Sequence, residues 1–486
     1  MTQKNIIKEE KIIFTILVVI FLAVLFRTFD VYSANTIFDL TGNTILGTPT
    51  NNSITINMLA EKGVEAVINY GTISGSYDFK TDMHKSEQGE PVVIEINQLK
   101  SNTKYYYRVN YKRINDPDYI TGTEYSFYTQ RSSESVFSFG VQGDSHPERI
   151  GKMFNPDLYL LTMQNVAKFQ PDFYFTMGDD FSIEKLISKN QVSQKSVDEV
   201  YLYQRLYLGL IGASSPLFLV NGNHEQAAKY LLDGTPNNPA ILAAKARIKY
   251  YPLPIPNDFY TGDTEEVEHV GYLRDYYSFE WGEALFVVID PYWHSNIAVD
   301  NAAGDRNNTK NKEKKDLWEV TLGDSQYQWF KHTLENSGAK YKFVFCHHVL
   351  GTGRGGIENA KLYEWGGYNQ KGIWEFDERR PNWEMPIHNI MLKNRVNIFF
   401  QGHDHLFAKQ ELDGIIYQSV PNPADDTYTA FNQDAYKSGN ILPNSGFLKV
   451  TVSPDQVKVD YIRSFLSKDE TVQDINGKIC FSYTVK

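Results

Sequence analysis

From Ser135 onward, short apolar runs alternate with stretches whose apolar positions recur at helical spacing. Val136–Val141 predicts a strand that ends at Gly143-Asp144-Ser145-His146. The helix expected next places Leu158, Leu161, Met163, Val166 and Phe169 on or near one face. Asp172–Met177 predicts a strand ending at Gly178-Asp179-Asp180. Ser196–Leu210 predicts a helix opened by Ser196 and Glu199 at capping-box spacing. Pro216–Val220 is the next expected strand and runs into Asn221-Gly222-Asn223-His224-Glu225. Leu285–Ile289 ends at Asp290, and a helix over Ser325–Asn336 stops at Gly338. Tyr341–Cys346 ends at His347-His348. Met385–Lys393 predicts the helix before a last apolar run, Val396–Phe400, which leads to Gly402-His403-Asp404-His405.

Before residue 135 the pattern has a shorter period. Ser53–Leu59, Ala66–Tyr70, Val92–Ile96, Tyr105–Tyr111 and Tyr125–Tyr128 are β-branched or aromatic and separated by Gly, Asn, Asp and Ser. They predict an all-β module over residues 36–130. Leu99–Tyr105 resembles the tyrosine corner of immunoglobulin-like sandwiches, and the stretch resembles a fibronectin type III-like domain. It carries no titratable cluster, so its expected role is to pack beside the following domain. The remaining boundaries expected are a targeting segment or membrane anchor at 1–34, an α/β domain at 135–465 and a C-terminal extension at 466–486.

Composition narrows the class. At 486 residues with 42% hydrophobic and 14% aromatic side chains, the chain has ample material for two cores. A net charge of −11 argues against a general nucleic-acid binder. Two cysteines, Cys346 and Cys480, make no disulfide framework, and Cys346 lies in an apolar run that predicts an inert core thiol. Lys4, Lys8 and Lys11 precede an apolar run from Ile12 to Phe26. That run is shorter than the roughly 20 residues of a spanning helix and fits a signal-peptide core, with an uncleaved membrane anchor as the alternative. Either way the bulk of the chain is expected to be exported.

The strand ends carry the chemistry. In α/β sheets ligands gather at the carboxyl ends of strands. Buried carboxylates and imidazoles without partners are costly, and metal ions are the simplest way to satisfy many together. Asp144, His146, Asp179, Asn223, His347, His403 and His405 are too many for one tetrahedral ion and suit two ions sharing a bridge. Asp179 is the expected bridge, since a carboxylate offers two oxygens. His348 competes with His347, because neighbours on an extended chain point to opposite sides. Oxygen and imidazole donors without thiolate suit zinc, manganese or iron. Such a centre remains positive and attracts a phosphate ester.

The ordered set Asp-x-His, Gly-Asp, Gly-Asn-His-Glu, His and Gly-His-x-His resembles the calcineurin-like metallophosphoesterase superfamily. With a β-sandwich in front, it is similar to the purple acid phosphatase arrangement. The resemblance implies an α/β fold, a metallophosphoesterase β-sandwich flanked by helices, closed by Gly446–Val452 and Gln456–Arg463. It implies that Asp144, His146 and His405 hold one ion, that Asn223, His347 and His403 hold the other, and that Asp179 bridges. The family pattern His-x-Pro selects His347, although Val349 stands where proline is expected. It further implies His224 near the leaving group, as general acid, and a metal-generated hydroxide as nucleophile. Two positions depart from purple acid phosphatases: His146 stands in place of glycine and Ser182 in place of the tyrosine ligand, so no purple colour is expected.

The resulting expectation is an exported two-metal hydrolase of phosphate mono- or diesters. A phosphodiesterase or nucleotidase is the alternative, and a surface binding protein with a relic phosphatase domain a more distant one. Arg354, in the glycine-rich stretch Gly351–Gly356, is expected either to meet a phosphate oxygen or to lie in a mobile loop. His294 is expected to reach substrate or to be a satisfied polar group. Asp180 and Asp404 are expected to be solvated loop carboxylates. Trp365, Trp374 and Trp383 are expected in the core, and Asp305–Asp316 in a solvated loop.

Overall fold

Two stacked sheets and two helical layers account for the alternating pattern after residue 136. The structure is a computed structural model and describes residues 43–60, 62–299, 315–349 and 353–486. The expected targeting segment lies outside the described residues, as does most of the charged stretch 305–316. No helix among the described residues is long and apolar enough to cross a membrane.

The first sheet runs in the order Leu217–Leu219, Phe173–Thr176, Phe137–Gln142, Gly446–Val452, Val457–Arg463, Ile479–Val485. Its first three strands are parallel, and Gly446–Val452 joins antiparallel with Leu448 opposite Val141. In the second sheet Ala284–Val288, Tyr341–Phe345, Ile398–Gln401 and Ile415–Ser419 form a parallel centre. Strands covered on both faces carry continuous apolar runs, which is why these segments show no alternation. Between the sheets Phe139, Phe173 and Phe175 meet Phe286, Phe343 and Phe345. The rings of Phe175 and Phe345 stack at 4.1 Å, and Phe139 meets Phe286 edge-on at 5.1 Å.

Helices Pro156–Phe169, Gln194–Gly212 and Pro239–Tyr250 cover the outer face of the first sheet. Helices Gly323–Asn336 and Ile387–Lys393 cover the second. The first begins where the Asn155 side chain accepts the N–H groups of Asp157 and Leu158, with Pro156 as its opening residue. The second starts earlier than expected. Ser193 is its cap, reciprocated by Ser196, because Ser193 holds extended backbone and reaches the Ser196 N–H. Ser196 therefore sits inside the helix and Glu199 takes no part in the box.

The N-terminal unit is two antiparallel sheets around Ile54, Ile56, Ile68, Ile94, Tyr107 and Val109. Tyr105 Oη accepts the Lys100 N–H at 2.9 Å, the local bond expected of a tyrosine corner. The unit rests on the helix Gln194–Gly212, where Tyr107 Oη donates to the Ala213 carbonyl at 2.7 Å and Ile45 packs with Ile211 and Leu217. Arg205, fully buried, donates to Asn57 Oδ1 at 3.0 Å and to the carbonyls of Asn43 and Tyr250. Residues 466–486 are more than an extension, since Ile479–Val485 pairs along Val457–Arg463 as an edge strand of the first sheet. Cys346 is fully buried, and burial pushes its thiol far up, as an inert core group requires. Of the three tryptophans, Trp365 and Trp383 are core, whereas Trp374 is 42% exposed because its indole leaves the second helical layer to meet Tyr368 and Asp377.

Candidate metal centre

Each expected ligand lies just past the end of a parallel strand, on a loop pinned by backbone hydrogen bonds. Asp144 follows Phe137–Gln142, and its Oδ1 accepts the His403 N–H at 2.7 Å. That bond draws the Gly402 backbone close enough that a Cβ on residue 402 would stand 2.6 Å from Asp144 Oδ1. Glycine is needed there for close approach and not for a sharp turn; the left-handed residues are His403 (φ 67°) and His405 (φ 62°). Gly222 is constrained in the same way, with a Cβ falling 2.3 Å from Asp179 Oδ1. Across that gap the His224 N–H donates to Asp179 Oδ1 at 2.8 Å. Asn223 lies on the same loop, between Gly222 and His224.

Six of the seven expected ligands meet directly. Asp144, Asp179, His347 and His403 bring one donor atom each within 4.8 Å of one another, and so do Asp144, His146 and His405. His347 Nε2 is 3.2 Å from Asp179 Oδ2 and 3.8 Å from Asp144 Oδ2. His405 Nε2 is 3.2 Å from Asp144 Oδ2, and His146 Nε2 is 3.6 Å from Asp179 Oδ2. Asn223 is buried on its loop. Between the neighbours His347 and His348 the geometry is clear. His347 fixes Nδ1 on the Met177 carbonyl at 2.6 Å and turns Nε2 into the cluster. His348 turns away, stacked on Tyr292 and hydrogen-bonded to its hydroxyl at 3.1 Å.

Two buried carboxylates dominate the electrostatics of the cluster. Burial alone would strip the proton from His347, yet Asp179 and Asp144 overcome it and raise the group to about 10. Burial likewise opposes ionisation of Asp144, but His347 and His405 bring it down to about 2. His146 moves the other way, to about 4, chiefly by burial. Among the described residues, Asp144 Oδ2, His146 Nε2 and His405 Nδ1 are buried without a hydrogen-bond partner. Two carboxylates, four imidazoles, no thiol and unsatisfied buried donors fit a metal ion with oxygen and nitrogen ligands.

His224 borders this cluster. Its Nε2 is 4.0 Å from Asp179 Oδ2, its Nδ1 is 3.1 Å from Glu184 Oε2, and its ring meets His146 edge-on at 5.2 Å. Burial lowers its proton affinity, while Asp179 and Glu184 together raise it above the usual value. His146, Asp179 and His224 also bring donor atoms within 4.8 Å of one another. Arg354 is held at the opposite rim, donating to the His403 carbonyl and lying 3.3 Å from Asp404 Oδ1. His294 enters none of these groups and lies 3.6 Å from Glu265.

Two carboxylates expected in solvent are buried. Asp180 accepts Ser145 Oγ–H and the Gln142 and Gln204 amides, and burial pushes it well above the usual carboxylate range. Asp404 accepts the Gly355 N–H at 2.8 Å and the Tyr436 hydroxyl. The loops bearing the ligands turn these neighbours inward, where they tie one loop to another. Other supporting groups went unassigned in the sequence. Glu225 Oε1 and Oε2 accept the N–H groups of Asp179, Asp180, Phe181 and Gly222 at 2.7–3.0 Å. Glu148 holds His146 Nδ1 at 2.9 Å, and Glu184 holds His224. Glu225 stood in the Gly-Asn-His-Glu motif and Glu148 two residues from His146, but nearness to a ligand does not separate a clamp from a solvated loop, and Glu184 had no such signal.

Comparison with known proteins agrees with this arrangement. The profile of the calcineurin-like phosphoesterase family matches residues 137–407, more than half of the chain. No curated protein sequence matches it. Among solved structures, PhoD superposes with a TM-score of 0.63 at 15% identity, over 92% of this chain and 90% of its own. GAP50, the anchor in the inner membrane complex of Plasmodium, gives a TM-score of 0.35 at 12% identity, over 72% of this chain and 88% of its own. A putative 5'-nucleotidase from Staphylococcus aureus gives 0.32 at 15% identity, over 66% of this chain and 51% of its own. At these identities the PhoD likeness is one of fold, and the other two overlaps carry no argument. The profile match spans every strand end from Asp144 to His405: the chain belongs to the calcineurin-like phosphoesterase family and is a metal-dependent phosphoric ester hydrolase.

Proposed function

We propose that the centre holds two metal ions and hydrolyses phosphate mono- or diesters outside the cytoplasm. Asp144, His146 and His405 would hold one ion, Asn223, His347 and His403 the other, with Asp179 between them. The observation that carries this reading is the double use of Asp144 and Asp179, each within reach of imidazoles on both sides of the cluster. Ions bound there would supply the positive charge that polarises a phosphoryl oxygen and activates water. His224 is the group placed to pass a proton to the leaving oxygen, with Glu184 fixing its ring. Arg354 borders the His403 half, where a phosphoryl oxygen would meet it. The export reading rests on the lysines and apolar run of residues 4–26.

The test is hydrolysis of p-nitrophenyl phosphate, expected to vanish with chelator and return with Mn²⁺ or Zn²⁺. Asp179→Ala is expected to lose metal and turnover together. His224→Ala is expected to lower kcat by about 10²–10⁴-fold while metal content by elemental analysis stays near wild type. Equal metal loss in both variants would remove His224 from the proton-transfer role. Chelator-insensitive protein without turnover would favour a binding protein.

A further inference from the structure

The loop after Asp144 sets an arginine against His224. His146 holds left-handed backbone (φ 48°) and reverses the chain into the short turn Pro147–Arg149. That turn carries Arg149 Nη2 to 3.1 Å from His224 Nε2. A guanidinium only donates, so this contact forms with Nε2 unprotonated, and Arg149 gives way when Nε2 takes up the proton for the leaving oxygen. Among the described residues the Arg149 side chain also meets Glu148 Oε1, 3.2 Å from Nε, and Met153 Sδ, 3.2 Å from Nη1. Glu148 is shared with His146 Nδ1, so the countercharge on Arg149 is divided. The Arg149 side chain is 26% exposed, against 5% for His224 and 1% for His146, and so bridges the buried cluster and solvent. Lys185, exposed on the short helix Glu184–Ser188, donates to the Glu148 carbonyl and puts a second cation on the same rim. The nearby carboxylates, Glu148 and Glu184, are engaged by His146 and His224. Arg354 stands on the other side of the cluster, by His403 and Asp404.

We propose that Arg149, with Lys185 beside it, binds negative charge on the leaving group, so that the enzyme favours esters and anhydrides whose leaving group is itself an anion. The inference rests on His224 facing the leaving oxygen, as proposed above. In the reaction a water oxygen bonds to phosphorus and gives up one proton to solvent. The bridging P–O bond breaks with its electron pair on the leaving oxygen, which takes the proton delivered at His224. Arg149 meets the charge already carried beyond that oxygen, which for ADP is the phosphate of the departing AMP.

The full-length, metal-loaded enzyme is assayed with p-nitrophenyl phosphate and with ADP, alongside Arg149→Ala and Arg149→Lys. Arg149→Ala is expected to lower kcat/KM for ADP about 10- to 100-fold more than for p-nitrophenyl phosphate, the range of one charge-assisted hydrogen bond. Arg149→Lys is expected to recover most of that selectivity. An equal loss on both substrates would assign Arg149 to the transferred phosphoryl group or to the fold and overturn the proposal. So would wild-type enzyme that hydrolyses p-nitrophenyl phosphate but not ADP, which leaves the hydrolase reading standing. Wild-type protein inert towards both substrates defeats that reading itself.

Discussion

Four backbone N–H groups from two separate loops end on the single carboxylate of Glu225. They come from the loop of Asp179 and the loop of Asn223, so one buried side chain sets the spacing between ligands of both proposed ions. Glutamine in its place would turn an NH₂ toward two of those donors. Glu225→Gln is therefore expected to weaken metal binding about 10- to 100-fold, read by competition with a chromophoric chelator. Unchanged affinity would show that the loops hold themselves. At this scale the sequence was only partly legible. The seven ligand candidates stood out as Asp, Asn and His at strand ends, four of them (Asp144, Asp179, Asn223 and His403) beside Gly. Glu225 stood in the Gly-Asn-His-Glu motif without a role, and Glu148 and Glu184 drew no notice, because neither a grip on backbone N–H groups nor one on a distant or neighbouring imidazole can be read from a carboxylate's place in the sequence. Asp404 was misjudged for a related reason: Gly355 and Tyr436, which hold it, lie far away in the chain.

Strands and helices were far easier to anticipate. Parallel strands covered on both faces are buried along their length and mostly apolar, and so are Phe173–Thr176, Tyr341–Phe345 and Ile398–Gln401, with Thr176, Lys342 and Gln401 as polar exceptions. The strand Ile479–Val485 escaped notice because its residues are half-buried or exposed, as befits a sheet edge, and its apolar signal is weak. The contact between the N-terminal sandwich and the helix Gln194–Gly212 was equally hidden. It depends on Arg205, a residue type usually assigned to surfaces. Burial brings its guanidinium down to about 10, and its partners are neutral oxygens. Arg205→Met would take the guanidinium from Asn57 Oδ1 and the Tyr250 carbonyl, while the Asn43 carbonyl keeps the Leu59 N–H, and is expected to lower stability by about 2–5 kcal/mol in urea unfolding. A loss under about 0.5 kcal/mol would mean that water replaces the guanidinium.

Across the whole molecule, one buried acidic group gives stability a pH dependence away from the metal centre. Burial, and then Asp290 and Asp263, push Asp275 well above the carboxylate range. The folded chain keeps a proton there that the unfolded chain releases near pH 4. Its contribution is thus fullest below that pH and falls as pH rises toward the folded value. Asp275→Asn is expected to raise Tm at pH 7–8 and to change it little at pH 4. A lower Tm at pH 8 would place an essential charge at that position.

The strand leading into Asp144 has Phe173–Thr176 on one side and Gly446–Val452 on the other, and the sheet continues through Val457–Arg463 to Ile479–Val485. One flank of a pivotal segment therefore waits for partners translated some three hundred residues later. Such non-local pairing is slow and leaves an open edge meanwhile. A chain that has not yet delivered residues 446–485 can neither seal this sheet nor finish the pocket it supports, so catalytic competence waits for those strands.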